Sequence, residues 1–440
     1  MIASLRWMLL SIAIVVLAMV MKPEYFPILS EWNLQRENLK LFKDMESQHS
    51  ECTHYFLQQD LLPQPGQHLV CVKGVPSDTE LGGSASEGVD NLIVSIIPDS
   101  LRGREHVHKI NGVRESKTDE KWKELDNFFE VLYDRMGAHE RPIHRWRVYT
   151  PNGRELLSLD EVVEAKSVVI YTGASFIWPG VSIGHRQRTP EGFVLETLSL
   201  RPLVFKVENF LSHEECDYIR SESEGFMEAS GTLRMDADVD KPDSTWRTST
   251  QTFLDDFQRP ILASINERTS TLTRTHVDSQ EDVQVLRYTA GQFYDQHYDY
   301  FDPQFYQNNE DMLMQLVNGT NRLVTVFWYL SSISDGNGGH TIFPLVNGAQ
   351  LGNFHDFKNC DVSGALKVQP RKGEVIIFYS LTANQELDRG SLHGACPHHG
   401  KDEEKWAANK WIWTQPDSFR RRKADDGKFI STTSFPSSGI

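Results

Sequence analysis

VQVLRYTAGQFYDQHYDYFD, residues 283–302, holds two runs rich in β-branched and aromatic residues on either side of a turn at Gly291. Such runs, bounded by turn residues, predict β-strands. Further runs of the same kind follow at 322–331, 341–345, 366–370, 374–380 and 410–414. Seven short strands in one region of a chain favour a double-sheet jelly roll.

Two helices are predicted ahead of these strands. Ser212 and Glu215 form the pattern of a capping box at a helix N-terminus. Pro260 stands where a first helical residue is expected, before apolar residues at 261–265. We therefore predict an α+β fold whose main domain, over 200–416, is a double-stranded β-helix (jelly-roll) core with flanking helices.

A smaller unit is predicted upstream, over 68–178. Strand-like runs at 69–75 and 92–97 precede a helical stripe that contains Leu125, Phe129 and Leu132, and two more runs follow it. Strand, strand, helix, strand, strand is a β-grasp order. The stretch RVYTPNGRELLSLDEVVEAKSVVIYTGASF also resembles the end of a doublecortin-type ubiquitin-like module. A small β-grasp-like domain is therefore expected here.

The first 22 residues contain an uncharged apolar run, 7–21, between Arg6 and Lys22. Its terminal position and leading positive charge are typical of a signal peptide or a short signal anchor, and a buried core helix is the alternative. We expect an anchor over 1–22, a stem over 23–67 and a flexible tail over 417–440. The protein would then be a single-pass protein of the endoplasmic reticulum or Golgi membrane with its body in the lumen. If the N-terminus is cleaved, it would lie free in the secretory-pathway lumen.

The composition bears on whether the protein binds nucleic acid and on how its cysteines can pair. The 440 residues include 45 Lys and Arg against 61 Asp and Glu, a formal net charge of −16, which argues against a nucleic-acid partner. Five cysteines are too few for a disulfide scaffold, and their odd number leaves at least one thiol unpaired within the chain.

His297 and Asp299 are the first candidate metal ligands. Residues two apart in a strand share a face, so this pair would present an imidazole and a carboxylate together. His393, on a distant strand, is placed to complete the 2-His-1-carboxylate set that holds Fe(II) in oxygenases. With sixteen histidines in the chain, the spacing alone leaves a chance pair open. We interpret His398 and His399 as surface residues.

Several motifs around these ligands resemble the catalytic domain of the prolyl 4-hydroxylase family, most closely its plant and algal type. Besides the 283–302 stretch they are, in chain order, FLSHEEC (210–216), WRTST (246–250), TNRLVTVFWYLSS (320–332), GGHTIFP (338–344), KGEVIIFYS (372–380), SLHGACP (391–397) and KWAANKWIW (405–413). The resemblance therefore extends over about 202–414.

The resemblance implies an Fe(II)- and 2-oxoglutarate-dependent dioxygenase with His297, Asp299 and His393 as metal ligands. Its substrate would be a proline-containing peptide, hydroxylated at C4 with consumption of O2 and release of succinate and carbon dioxide. L-ascorbate would keep the iron reduced. A related oxygenase acting on another residue or a small molecule is one alternative, and a non-catalytic lumenal binding protein is another.

For 2-oxoglutarate, the resemblance implies that Lys405 binds the distal carboxylate, helped by the hydroxyls of Tyr288 and Thr341. A cation is expected there because a buried carboxylate without a partner is costly to desolvate. Lys401, in the inserted segment KDEE at 401–404, is the competing candidate. Lys405 is preferred because Lys-Trp is the family pairing.

For the peptide, the resemblance implies that Tyr294, Arg322 and Trp411 line a groove and that Arg247 lies on a flexible loop that closes over the substrate. Packing at the barrel mouth is the alternative for the aromatic residues, and a solvated loop charge is the alternative for Arg247. The chain departs from the family at Trp413, where a histidine is common. An indole is larger and can only donate a hydrogen bond, so we expect it to alter the groove that receives the peptide.

Overall fold

The structure is a computed structural model that describes residues 66–75, 91–97, 106–111, 121–135, 146–415, 422–423 and 429–430, with gaps at 174, 181, 234, 239, 257, 317–319, 347–359 and 361. The predicted anchor over 1–22, nearly all of the stem and most of the tail lie outside the described residues. Within the described part, no helix combines the length and apolar character needed to cross a membrane.

The described α-helices are α1 (Lys121–Arg135), α2 (Leu159–Ala165), α3 (His213–Glu224), α4 (Pro260–Thr273) and α5 (Glu310–Gln315). The described strands are β1 (Gln67–Val75), β2 (Asn91–Ile97), β3 (His106–Asn111), β4 (Arg147–Tyr149), β5 (Ser167–Tyr171), β6 (Arg186–Arg188), β7 (Val194–Leu200), β8 (Leu203–Val207), β9 (Glu228–Ala229), β10 (Thr250–Leu254), β11 (Val283–Tyr288), β12 (Tyr294–His297), β13 (Arg322–Tyr329), β14 (Thr341–Phe343), β15 (Leu366–Val368), β16 (Val375–Tyr379), β17 (His393–Ala395), β18 (Lys405–Trp413), β19 (Arg422–Lys423) and β20 (Phe429–Ile430).

The first five strands form an antiparallel sheet in the order β3-β2-β1-β5-β4. Helix α1 buries Leu125, Phe129 and Leu132 against it, which confirms the predicted core face. Strand β3 precedes α1, and α2 precedes β5, so the predicted order of strand, strand, helix, strand, strand is incomplete. The β3 sequence HVHKIN has only two aliphatic residues, too weak a signal for a strand. The β-grasp assignment of this unit stays a prediction.

Two further sheets form the main domain. A nine-stranded sheet has the order β6-β7-β8-β16-β13-β18-β11-β10-β9, and a four-stranded sheet has the order β12-β17-β14-β15. Phe327, Tyr329 and Phe378 of the large sheet pack in one buried cluster with Phe343 and Ala395 of the small sheet. This is the two-sheet core expected of a jelly roll. Its large sheet extends back to β6, ahead of the 200–416 range predicted for this domain.

Helices α3 and α4 cover the opposite face of the large sheet. The predicted capping box is confirmed, because the Glu215 N–H donates to Ser212 Oγ at 3.1 Å and the Ser212 N–H donates to Glu215 Oε2 at 2.8 Å. Helix α4 begins at Pro260 as predicted and buries Leu262 and Ile265.

Trp178 joins the N-terminal unit to the main domain. Its buried indole donates from Nε1–H to the Leu272 carbonyl at 2.8 Å, and its backbone N–H donates to the Tyr379 hydroxyl at 3.2 Å. On the other side, a Cβ added to Gly153, just after β4, would lie 2.2 Å from the indole. Apolar residues of both units belong to one continuous core.

The cysteines of the main domain divide into one disulfide and one free thiol. Cys360 and Cys396 are disulfide-bonded, which ties the end of β17 to the chain ahead of β15. Cys216 is free and buried in α3, and burial raises the pKa of its thiol to about 11. This thiol is therefore protonated at neutral pH and packs as a small apolar side chain.

Candidate active site

His297, Asp299 and His393 converge on the small sheet. Strands β12 and β17 place His297 directly opposite His393, and Asp299 follows β12 by two residues. One ligand atom from each of the three side chains lies within 4.8 Å of the others. No other set of three His, Cys, Asp or Glu side chains in the described ranges is grouped so that it could hold a metal ion.

Backbone carbonyls orient both imidazoles. His297 Nδ1 lies 2.8 Å from the Asp295 carbonyl oxygen, and His393 Nδ1 lies 2.9 Å from that of Ser391. When Nδ1–H donates to a carbonyl, the lone pair is on Nε2 and is available to a metal. The Nε2 atoms of His297 and His393 lie 3.8 and 3.6 Å from carboxylate oxygens of Asp299, so the three donors point to one place.

The charge states of these groups suit a divalent cation. Burial, reinforced by the nearby His393, lowers the pKa of His297 to about 3, so its imidazole is neutral. Burial alone would raise the pKa of Asp299, but the two histidines, Arg322 and the Thr325 hydroxyl together lower it. The result is a neutral imidazole beside an ionised carboxylate, a donor set that fits Fe(II).

Lys405, the residue predicted to bind 2-oxoglutarate, is the first residue of β18. Its side chain is fully buried, and Nζ has no hydrogen-bond partner among the described residues. Burial lowers its pKa to about 7. Nζ lies 5.2 Å from the ring of Tyr288, its partner in the β11–β18 register. A buried, unpaired amine of this kind fits an anion. Lys401, the competing candidate, is exposed.

The predicted hydroxyls have different surroundings. The Tyr329 hydroxyl donates to Thr341 Oγ1 at 2.9 Å. The hydroxyl of Tyr288 interacts instead with Arg247 and Ser249. Tyr329 packs in the same buried cluster as Tyr288 and adds a hydroxyl that the sequence analysis did not identify. Within TNRLVTVFWYLSS it is one aromatic residue of a strand, and nothing in the pattern separates it from a core residue.

A cavity of about 480 Å³ opens beside the metal-ligand candidates. Its lining includes all four residues predicted to contact the peptide: Tyr294, Arg322, Trp411 and Arg247. Tyr294 stacks on His297 with ring centroids 3.7 Å apart, and the Arg247 guanidinium lies 4.4 Å above the Tyr294 ring. Arg247 is only 4% exposed, so the alternative of a solvated loop charge is wrong.

His398 does not lie at the surface, where it was predicted to be. It is fully buried, with Nε2 3.1 Å from the Tyr288 carbonyl oxygen, whereas His399 is exposed as predicted. The reason is that the chain after β17 folds back and pairs His398 with Gly338, a contact that the loop sequence CPHHG does not reveal.

Comparison with known proteins agrees with this geometry. A family model described as the 2OG-Fe(II) oxygenase superfamily matches residues 283–413. Probable prolyl 4-hydroxylase 3 of Arabidopsis thaliana is 36% identical over 219 residues, which are 49% of this chain and 71% of that protein. Prolyl 4-hydroxylase 2 of the same plant is 34% identical over 237 residues, 53% of this chain and 74% of that protein.

Among solved structures, the viral collagen prolyl hydroxylase of Paramecium Bursaria Chlorella virus-1 is 26% identical, covers 48% of this chain and 95% of its own, and has a TM-score of 0.32. Both plant relatives are more than 30% identical to this chain, and the match covers more than two thirds of their own length. The chain therefore belongs to the prolyl 4-hydroxylase family of 2-oxoglutarate- and Fe(II)-dependent oxygenases.

Proposed function

We propose that this protein is an Fe(II)- and 2-oxoglutarate-dependent dioxygenase that hydroxylates peptidyl proline at C4. The observation that carries the proposal is the convergence of His297, Asp299 and His393 beside a cavity. Three such ligands leave positions open for a co-substrate and O2. When bound, Fe(II) would supply the oxidative decarboxylation of 2-oxoglutarate to succinate and the coupled hydroxylation of a C–H bond.

The protein's own part in this reaction is binding, orientation and exclusion of water. Lys405 would pair with the distal carboxylate of 2-oxoglutarate, near the Tyr329–Thr341 hydrogen bond. Phe378 and Phe343 pack on His393 at 4.5 and 5.7 Å between ring centroids, and they make this end of the site apolar. Reactive chemistry would then take place away from solvent.

The cavity suits a peptide rich in proline. Two residues that line it, Arg247 and Trp411, each carry a buried donor, Nη2 and Nε1, that has no hydrogen-bond partner in the described part of the chain. The nearby carboxylate of Glu281 already accepts from Arg322 and Trp413. Proline offers a carbonyl acceptor but no N–H donor, and an extended proline-rich backbone leaves its carbonyls unbonded. Free donors in the cavity would satisfy these carbonyls.

We also propose a place in the secretory pathway, with an anchor over 1–22, and L-ascorbate as reductant. The apolar run at 7–21 supports the location. The disulfide between Cys360 and Cys396 supports it independently, because disulfides persist in oxidising compartments.

The test uses the full chain, loaded anaerobically with Fe(II) and 2-oxoglutarate and then exposed to O2 with a poly-L-proline peptide. We expect succinate and a gain of one oxygen on proline, both absent in His297→Ala. Succinate without peptide oxidation would contradict the proline assignment and indicate another substrate. Neither product, from folded protein with bound metal, would contradict the enzymatic function.

A further inference from the structure

Arg322 is held on three sides at the wall of the cavity. Glu281 accepts from its Nε at 2.6 Å and from its Nη2 at 2.9 Å, a bidentate pair. The guanidinium carbon lies 3.6 Å from the ring centroid of Trp411 and 4.9 Å from that of Phe301. These contacts occupy two nitrogens of the guanidinium and place two aromatic rings against it, and they leave Nη1 available to a ligand.

Trp413 holds the carboxylate of this pair. Its Nε1–H donates to Glu281 Oε1 at 2.6 Å, the same oxygen that accepts from Arg322 Nε. The Trp413 indole is 4% exposed and stacks on Phe301 with centroids 6.0 Å apart. The Trp413 indole therefore restrains the Glu281 carboxylate, and that carboxylate in turn restrains the Arg322 guanidinium.

We propose that Glu281 and Trp413 are positioning residues that orient Arg322 so that Nη1 donates to a backbone carbonyl of the bound peptide. The inference rests on the proposed function, since it concerns the same peptide site. A free arginine side chain loses many rotamers when it binds a ligand, so fixing it beforehand strengthens binding. Substrate recognition at this wall then depends on an orientation set by two residues that act through Arg322, and both of them also line the cavity.

Partial burial strengthens the interaction between Arg322 and Glu281. The side chains of Arg322 and Glu281 are 14% and 18% exposed, so solvent screens their interaction only partly. Without the carboxylate, the guanidinium would be free to turn toward solvent and away from its stack on Trp411. The positive charge would remain, but the guanidinium would no longer be held in one orientation.

The test measures binding of a short poly-L-proline peptide by titration calorimetry, for wild type, Glu281→Gln and Trp413→Phe. Glu281→Gln removes the charge from the pair, and Trp413→Phe removes the indole N–H while it keeps a smaller aromatic ring beside Phe301. We expect the peptide Kd to rise roughly tenfold in the first and severalfold in the second, with the Kd values for metal and 2-oxoglutarate unchanged. Glu215→Gln is the matched control, because Glu215 pairs with Arg268 at similar burial outside the cavity.

A double-mutant cycle with Arg322→Lys separates positioning from general damage. In the Arg322→Lys background, Glu281→Gln and Trp413→Phe should have no further effect on the peptide Kd. Additive losses, or a loss of metal affinity as large as the loss of peptide affinity, would overturn the inference. If Glu281→Gln binds the peptide as tightly as wild type does, this inference is wrong and the proposed function is unaffected. If the wild-type protein binds no proline peptide, both the inference and the proposed function are wrong.

Discussion

Thr325 Oγ1–H donates a hydrogen bond to Asp299 Oδ2 at 2.6 Å and so links the large sheet to a metal-ligand candidate beside the small sheet. The bond occupies one carboxylate oxygen and leaves Oδ1 for a metal. The ligand set is therefore oriented by both sheets together, and it depends on how they pack.

Replacing Thr325 by Val removes this hydroxyl and keeps the shape of the side chain. We expect metal affinity to fall about 10- to 100-fold, as is typical when a partner of a ligating carboxylate is lost. Anaerobic titration with Fe(II) measures it. Thr197→Val, a buried threonine of β7 far from the ligands, is the control. An Fe(II) affinity equal to that of wild type would show that Thr325 does not orient Asp299.

Lys405→Met should abolish 2-oxoglutarate binding and yet stabilise the protein without ligand. The pKa of about 7 in the folded state lies below the usual 10.5 of an unfolded chain, so at pH 7 the unfolded state binds more protons. Burial of this amine therefore costs stability at neutral pH. Thermal melts and 2-oxoglutarate titrations of Lys405→Met and of the exposed Lys401→Met measure both effects. A lower melting temperature for Lys405→Met would contradict this account.

Affinity for 2-oxoglutarate should fall as the pH rises above about 7. The carboxylate needs the charged amine, and in the protein without ligand Lys405 loses its proton around that pH. Binding would restore the charge and take up a proton, so Kd would rise by up to about tenfold per pH unit. Calorimetry in two buffers of different ionisation enthalpy detects the proton. Binding without proton uptake at pH 8 would mean that a group other than Lys405 binds the 2-oxoglutarate carboxylate.

Gly153→Ala should destabilise the whole protein. The added Cβ would lie 2.2 Å from the Trp178 indole, which cannot move because it is bonded to Leu272. Gly192→Ala is the matched control, since both glycines have positive φ but Gly192 has open space around it. We expect a markedly larger fall in melting temperature for Gly153→Ala, in a single transition. Equal falls would show that backbone strain, rather than the contact with Trp178, is the cause.

The sequence predicts best where local chemistry decides the structure. The capping box at Ser212, the start of α4 at Pro260 and the strands β11, β13, β16 and β18 of the large sheet follow from local patterns. Thr325, Tyr329 and Glu281 escape such reasoning because their roles depend on partners from distant strands. A threonine in a strand carries no local sign that it faces a carboxylate across the barrel.

Burial is equally hard to predict from short motifs. Arg247 and His398 lie in polar loops, where exposure is the usual expectation. Arg247 is covered because it stacks on Tyr294, and His398 because its loop returns to Gly338. The metal-ligand candidates were accessible to sequence reasoning because alternation along one strand and a family resemblance both indicated them.

The core shared through Trp178 changes how variants of the N-terminal unit should be interpreted. A substitution at Gly153 or in the strands beneath it would lower the amount of folded enzyme in a cell, since one or two kcal/mol of lost stability can change abundance several-fold. Cells carrying such a variant would show less hydroxylated product, while each surviving molecule kept a normal turnover. A genetic screen would then score the N-terminal unit as essential for activity, although its contribution is to keep the catalytic domain folded.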